Sequence, residues 1–316
     1  MSETPTAADY IEPLHINGMS GRMLYLPAKL QKRELLVIYG HHSTLERWWG
    51  LVENFNDFGA VTMPDLPGFG GMDSFYKIGR QATLDNYADY LAAFIKMRYR
   101  HKKVSIVGIS FGFLVVTRML QLYPELCSRV EFLISAMGFM HYNNFKFSPL
   151  RYNFYRYTAD TLSIPPFPYI FRHTALAAPV LRLFYSHGNN SKHKFAYAKT
   201  DEQKKSIMDM EVELWHSNDV RTWLRTTVEM TTVDNTDSKV DLLVWHVHTI
   251  NDNYFDNTII EQQMRVVFND FLSAPLKVKS HTPSVIANKK EAAVFIPTEL
   301  RKILRTNVAS QNTARK

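Results

Sequence analysis

Ser110 stands in Gly108-Ile109-Ser110-Phe111-Gly112, at the end of an apolar run over 104–109 and the start of a helical pattern. A serine on a tight strand-to-helix turn has its hydroxyl lifted clear of the packing. Glycines two before and two after let the strand and helix backbones approach closely. The helix N-terminus behind the serine favours negative charge growing on a substrate oxygen. Such a serine suits nucleophilic acyl transfer, but a hydroxyl alone is a weak nucleophile. It needs an imidazole within hydrogen-bond reach, and a carboxylate that sets the imidazole's tautomer and stabilises its cation. On a strand-turn-helix scaffold of this kind the three follow in the order Ser, Asp/Glu, His.

That order sifts the residues downstream of Ser110. Asp252 lies in the loop beyond the strand-like run 242–248, at a strand's carboxyl end, where sites form in open parallel sheets. Asp256 competes, but its place just before a helical pattern reads as an N-cap. For the base, His281 follows the run 275–279, which reads as the last short strand. His141, His173, His187, His193 and His216 fall in a segment of different character, and His246 and His248 precede the acid. His246-x-His248 puts two imidazoles on one strand face, but no third ligand is evident and no metal is expected. The oxyanion of a tetrahedral intermediate calls for two backbone N–H groups. Phe111, the residue after the nucleophile, supplies one. His41, in Tyr39-Gly40-His41-His42-Ser43, is the expected second donor.

The elements that must position these residues follow from periodicity. Strand-like runs at 35–39, 60–63, 104–109 and 131–135 alternate with helical patterns at 45–55, after Thr83, and from Ser110 to about Tyr123, before Pro124. Such alternation predicts a mainly parallel sheet covered by helices on both faces. It breaks between 139 and 239. There, thirteen of the 47 residues 139–185 are Phe or Tyr, about twice the chain's aromatic share of 13%. This stretch reads as a mostly helical cap insertion, with most of its aromatics packed in the cap's own core. The sheet pattern resumes at 241–245. A helix is expected over 259–271, a strand over 275–279 and a closing helix over 284–304. The resulting division is 1–138 and 240–305 for the two parts of the core, 139–239 for the cap and 306–316 for a basic tail.

Composition narrows the classes. The chain has 316 residues, with 46% hydrophobic and 21% charged, ordinary globular values. One cysteine, Cys127, precludes an internal disulfide, so a reducing, cytoplasmic setting is the default. Nothing resembles a signal peptide, and no segment approaches the about 20 apolar residues that cross a bilayer. Residues 289–316 carry +5 of the net +7, so the basicity reads as mostly a solvated C-terminal feature. Only Phe295 interrupts that stretch, which leaves no stacking platform, and no nucleic-acid partner is expected. Oligomeric state is left open.

Taken together, the chain resembles a cap-bearing member of the α/β-hydrolase superfamily, of the serine esterase and lipase-like branch. The resemblance spans roughly 15–305. It rests on Tyr39-Gly40-His41, on Pro64-Asp65-Leu66-Pro67-Gly68-Phe69-Gly70, on Gly108-Ile109-Ser110-Phe111-Gly112, and on Asp252 and His281 in order. Tyr39-Gly40 departs from the family's usual His-Gly and changes the hydrogen bonds that brace the loop. The resemblance implies an α/β-hydrolase fold, a structural role for the Asp65–Gly70 turn, and a small-molecule ester substrate with an apolar acyl or alcohol group. It implies catalysis by Ser110, Asp252 and His281 without a cofactor. C–C bond or amide hydrolysis by the same triad remains an alternative, as does a non-catalytic ligand receptor on the same fold.

Overall fold

The computed structural model describes residues 5–29, 31–187, 195, 198, 200–250, 252–278, 281, 283–284 and 287–305; the basic tail at 306–316 lies outside them. Among the described residues, eight strands form one sheet: β1 (Ile11–Ile16), β2 (Met19–Leu26), β3 (Glu34–Ile38), β4 (Ala60–Pro64), β5 (Val104–Ile109), β6 (Val130–Ala136), β7 (Val240–Thr249) and β8 (Phe268–Leu276). Their spatial order is β1-β2-β4-β3-β5-β6-β7-β8. β3 to β8 run parallel, and the hairpin β1–β2 joins them antiparallel through β4. The hairpin turns at Asn17 and Gly18, both with positive φ, as a tight two-residue turn requires. Periodicity did not signal this hairpin, because Glu12 and Pro13 interrupt the apolar alternation of β1.

β5 is buried along its whole length, as expected of a strand covered on both faces. From β3 the chain moves outward to β4, then returns to β5 on the other side. The strand order therefore reverses between the carboxyl ends of β3 and β5, the place where ligands bind in open parallel sheets. Around the sheet, α2 (Leu84–Arg98) packs on α3 (Phe111–Leu122), while α1 (Trp49–Phe55) packs on the C-terminal α10 (Lys289–Ala292). Thr83 caps α2 by accepting from Asn86 N. The basic residues Lys96 and Arg98 sit in its last turn, where they complement the helix dipole.

Between β6 and β7 lie α4 (Pro149–Leu162), α5 (Phe167–His173), α6 (Ala178–His187), α7 (Asp201–Ser217) and α8 (Val220–Met230). They share a separate apolar cluster built on Ala159, Leu176, Leu181, Tyr185, Val212, Val220, Leu224 and Val228. The expected aromatic core is corrected here. Of the thirteen Phe and Tyr in 139–185, only Phe139 and Tyr185 are buried, and seven are exposed. α4 to α6 are too short and too lightly covered to enclose so many rings.

Three boundaries also differ from the periodic reading. The expected helix at 45–55 is a 3-10 turn, Glu46–Trp48, followed by α1. After β7, α9 (Asn257–Val267) gives way directly to β8, so the expected helix over 259–271 ends early and the last strand starts well before 275. Phe268, Phe271, Ala274 and Leu276 are the buried side chains of β8, and the three-residue spacing of the first three imitates a helix face. The closing stretch holds two short helices, α10 and α11 (Thr298–Arg305), separated at Pro297, where a continuous helix would lose a hydrogen bond.

Candidate active site

Ser110 sits between β5 and α3 with φ 50 and ψ −115. This left-handed conformation is costly for a residue with a Cβ, and it persists because bonds on both sides enforce it. Ser110 N donates to Ala136 O at 2.9 Å, and its carbonyl accepts from Phe113 N at 3.0 Å. The flanking glycines are required by close approach. A Cβ at Gly108 would lie 2.6 Å from Phe113 Cα, and one at Gly112 would lie 2.2 Å from Ile38 O. The turn is thus clamped between its own helix and the end of β3. Phe111, as the first residue of α3, keeps an N–H that the helix ladder does not consume.

The loop after β3 closes over this turn, with the Cβ position of Gly40 3.3 Å from Ser110 Cβ. Its first support is Tyr39. The phenol donates to Asp65 Oδ1 at 2.9 Å and accepts from Leu66 N at 2.8 Å, bracing the loop against the Asp65–Gly70 turn. Asp65 is fully buried, and burial pushes its carboxyl up to about 6 despite Arg22 Nε at 3.0 Å. Its bonds to Tyr39, Arg22 and Gly71 N are those of a structural strut.

The second support comes from the helical segment. His41 Nε2 lies 2.7 Å from Thr226 Oγ1, whose own proton goes to Thr222 O at 2.8 Å, so the imidazole donates. The His41 ring stacks on Trp223 and meets the edges of Phe69 and Phe111. Burial pushes its pKa down to about 4, which keeps it neutral. His42, at φ 55, packs on Trp215 with ring centroids 4.1 Å apart. Its Nδ1 meets Asn218 Nδ2 at 3.0 Å, while Asn218 Oδ1 accepts from Gly70 N. The sequence reading placed none of Trp215, Asn218, Trp223 and Thr226 at the site. Trp223 lies on an amphipathic helix face, but no local signal joins it to residue 41.

Asp252 and His281, which follow β7 and β8 in the chain, meet each other. His281 Nδ1 lies 2.6 Å from Asp252 Oδ2. Asp252 Oδ1 also accepts from Tyr254 N at 2.8 Å and Phe255 N at 3.1 Å. Burial alone would raise this carboxyl. The hydrogen bond and charge of His281, with the two backbone N–H groups, overcome that and hold it below the usual range. An ionised carboxylate only accepts, so His281 carries a proton on Nδ1, and Nε2 is the ring nitrogen not used in this bond. Asp256 instead caps α9, accepting from Thr258 N and Ile259 N. His281 stands five residues past β8, farther from a strand end than expected.

A cluster of rings braces this pair. Phe255 stacks on Phe139 and packs on Phe145, and with Tyr254 it flanks the His281 ring. Lys146 Nζ donates to Asp252 O at 3.0 Å, so the base of the helical segment is tied to the Asp252 loop. His246 and His248 stack on one face of β7, with His246 Nδ1 2.9 Å from Ser135 Oγ. Burial pushes the His246 pKa down to about 3.

A sequence profile for the alpha/beta hydrolase fold matches residues 35–168. No curated protein sequence matches the chain. Among solved structures, an esterase from Exiguobacterium antarcticum is 12% identical with a TM-score of 0.65, over 92% of this chain and 97% of that one. An esterase from Rhodococcus sp. is 15% identical with a TM-score of 0.63, over 94% and 99%. A thermophilic esterase from Thermogutta terrifontis is 18% identical with a TM-score of 0.56, over 93% and 97%. At such identities the likeness is one of fold. Together with the profile match over 35–168, it shows that the chain has the α/β-hydrolase fold.

Proposed function

We propose that the chain is a serine hydrolase that cleaves a carboxylic ester with an apolar acyl or alcohol group. The observation that carries this reading is the 2.6 Å bond from His281 Nδ1 to Asp252 Oδ2, which leaves Nε2 as a base on the rim that holds the strained Ser110. In this reading His281 Nε2 takes the Ser110 proton as Oγ attacks the ester carbonyl. The backbone N–H groups of Phe111 and His41 hold the oxyanion, and Asp252 stabilises the imidazolium. His281 then returns the proton to the departing alkoxide, releasing the alcohol and leaving an acyl group on Ser110. Water, deprotonated by His281, attacks that acyl-enzyme and frees the acid. The helices between β6 and β7 act as a cap over the site, and the esterase activity of the fold relatives agrees with this reaction class.

The test combines a series of p-nitrophenyl esters of graded acyl length with a fluorophosphonate probe. Ser110→Ala should lower kcat by on the order of 10³-fold or more on any true substrate and abolish labelling. Unchanged turnover in the purified variant ends the assignment. Folded wild-type protein that neither labels nor turns over esters supports a binding-only protein instead.

A further inference from the structure

We propose that the outer face of α4 to α6 is a docking surface for an anionic lipid membrane. Of the nineteen exposed large apolar side chains among the described residues, eleven lie between 150 and 184. On α4 they fall at helical spacing. Leu150, Phe154 and Tyr157 are 83%, 63% and 62% exposed, while the opposite stripe, through Ala159, faces the protein. Tyr169 and Ile170 continue the exposed apolar surface on α5, and Leu183 and Phe184 on α6. A soluble surface scatters such residues singly, so a succession over three consecutive helices marks an interaction site.

Charge selects the occupant. Residues 149–187, which span α4 to α6, hold four arginines against the single carboxylate Asp160, and Arg182 is paired with Asp209 of α7 at 2.7 Å. Asp160 is engaged by Arg225, outside α4. Arg151 lies over the rings of Phe147 and Tyr155, and Arg156 over Tyr157; among the described residues neither pairs with a carboxylate. Two copies meeting through this face would set like charge against like charge. An anionic bilayer satisfies both features: the aromatic and aliphatic side chains enter the headgroup boundary, and the arginines meet lipid phosphates. No described helix is long and apolar enough to cross a membrane, so the helices would lie in its surface. α4 and α5 also pack on α8, which carries Trp223 and Thr226 against His41, so docking would press on the element that covers the site.

The test is co-sedimentation of the full chain with vesicles of phosphatidylcholine alone, or mixed equally with phosphatidylglycerol. It reads binding, so its outcome is separate from that of the ester assays. The wild type should bind the mixed vesicles, bind neutral ones weakly, and release as salt rises. The triple variant Leu150→Ser, Phe154→Ser, Tyr157→Ser should bind at least about tenfold more weakly. Arg151→Glu with Arg156→Glu should do the same on mixed vesicles only, on the order of fivefold or more per charge. Fluorophosphonate labelling should not change in either variant. If the triple variant fails to fold, the charge variant and the salt series decide the matter. Failure of the wild type to bind mixed vesicles overturns the proposal, as does equal binding by the charge variant. A dimer of the wild type that the serine substitutions dissolve, without vesicle binding, makes the face a contact between copies and also overturns it.

Discussion

α3 and α4 are helices of similar length that both carry large apolar residues, with opposite fates. α3 buries nine of its 12 residues, whereas α4 buries one of 14. α3 lies between the sheet and α2 and is apolar all round, so its side chains stabilise the fold and hold Ser110 in place. α4 has one covered side, and Leu150, Phe154 and Tyr157 on the other remain largely exposed. The same residue types therefore report stability in one helix and recognition in the other, and only their surroundings tell which.

The sharpest way to break that contrast is a matched truncation. Phe113, fully buried beside Phe268, should cost about 3–5 kcal/mol on Phe113→Ala. Phe154→Ala on α4 should shift stability by no more than about 0.5 kcal/mol. Urea unfolding measures both, and a comparable loss at Phe154 would mean that α4's outer stripe is structural.

Titration gives a smaller effect, confined to the core and its rim. His41 and His246 are held at about 4 and about 3, against an ordinary 6.5. Below 6.5 the unfolded chain binds a proton that each folded imidazole refuses, so both lower stability as pH falls towards those values. Asp65, raised to about 6 from 3.8, acts in the opposite direction. The folded state holds its proton between those values and the unfolded chain does not, so its contribution is lost as pH rises towards 6. Two groups against one leave a net loss of about 1.4 kcal/mol per pH unit on acidification between about 6 and about 4. His246→Gln should remove one of the two and bring that slope close to zero. A slope unaltered by the substitution would mean that the acid sensitivity arises elsewhere.

The smallest expected effect separates two carboxylates four residues apart. Asp256→Ala removes the cap of α9 and should cost about 1 kcal/mol while leaving ester turnover intact. Loss of turnover in that variant, at unchanged stability, would transfer the acid's role away from Asp252.

Most of the rim was legible because local rules governed it. The close approaches at Gly108 and Gly112 leave a sequence signature, and Asp256 reads from the sequence as the helix cap that it is. The end of α9 was not legible, because Phe268, Phe271 and Ala274 repeat at a spacing that suits a helix. Their pairing with β7, from Val240 to Thr249, made them a strand. The N-terminal hairpin was missed for a related reason: its pairing with β4, not its own alternation, makes it a strand pair.

The sequence by itself determined the strand-turn-helix at Ser110, the parallel core and the helical run before β7, since each follows from contacts between near neighbours in the chain. Only the tertiary structure decided that His281 meets Asp252, that Thr226 meets His41 across 185 positions, and that the aromatic stripe of α4 faces outward. Periodicity marks a helix side as apolar, but whether anything covers that side depends on residues far away in sequence, brought there by the packing of the whole chain.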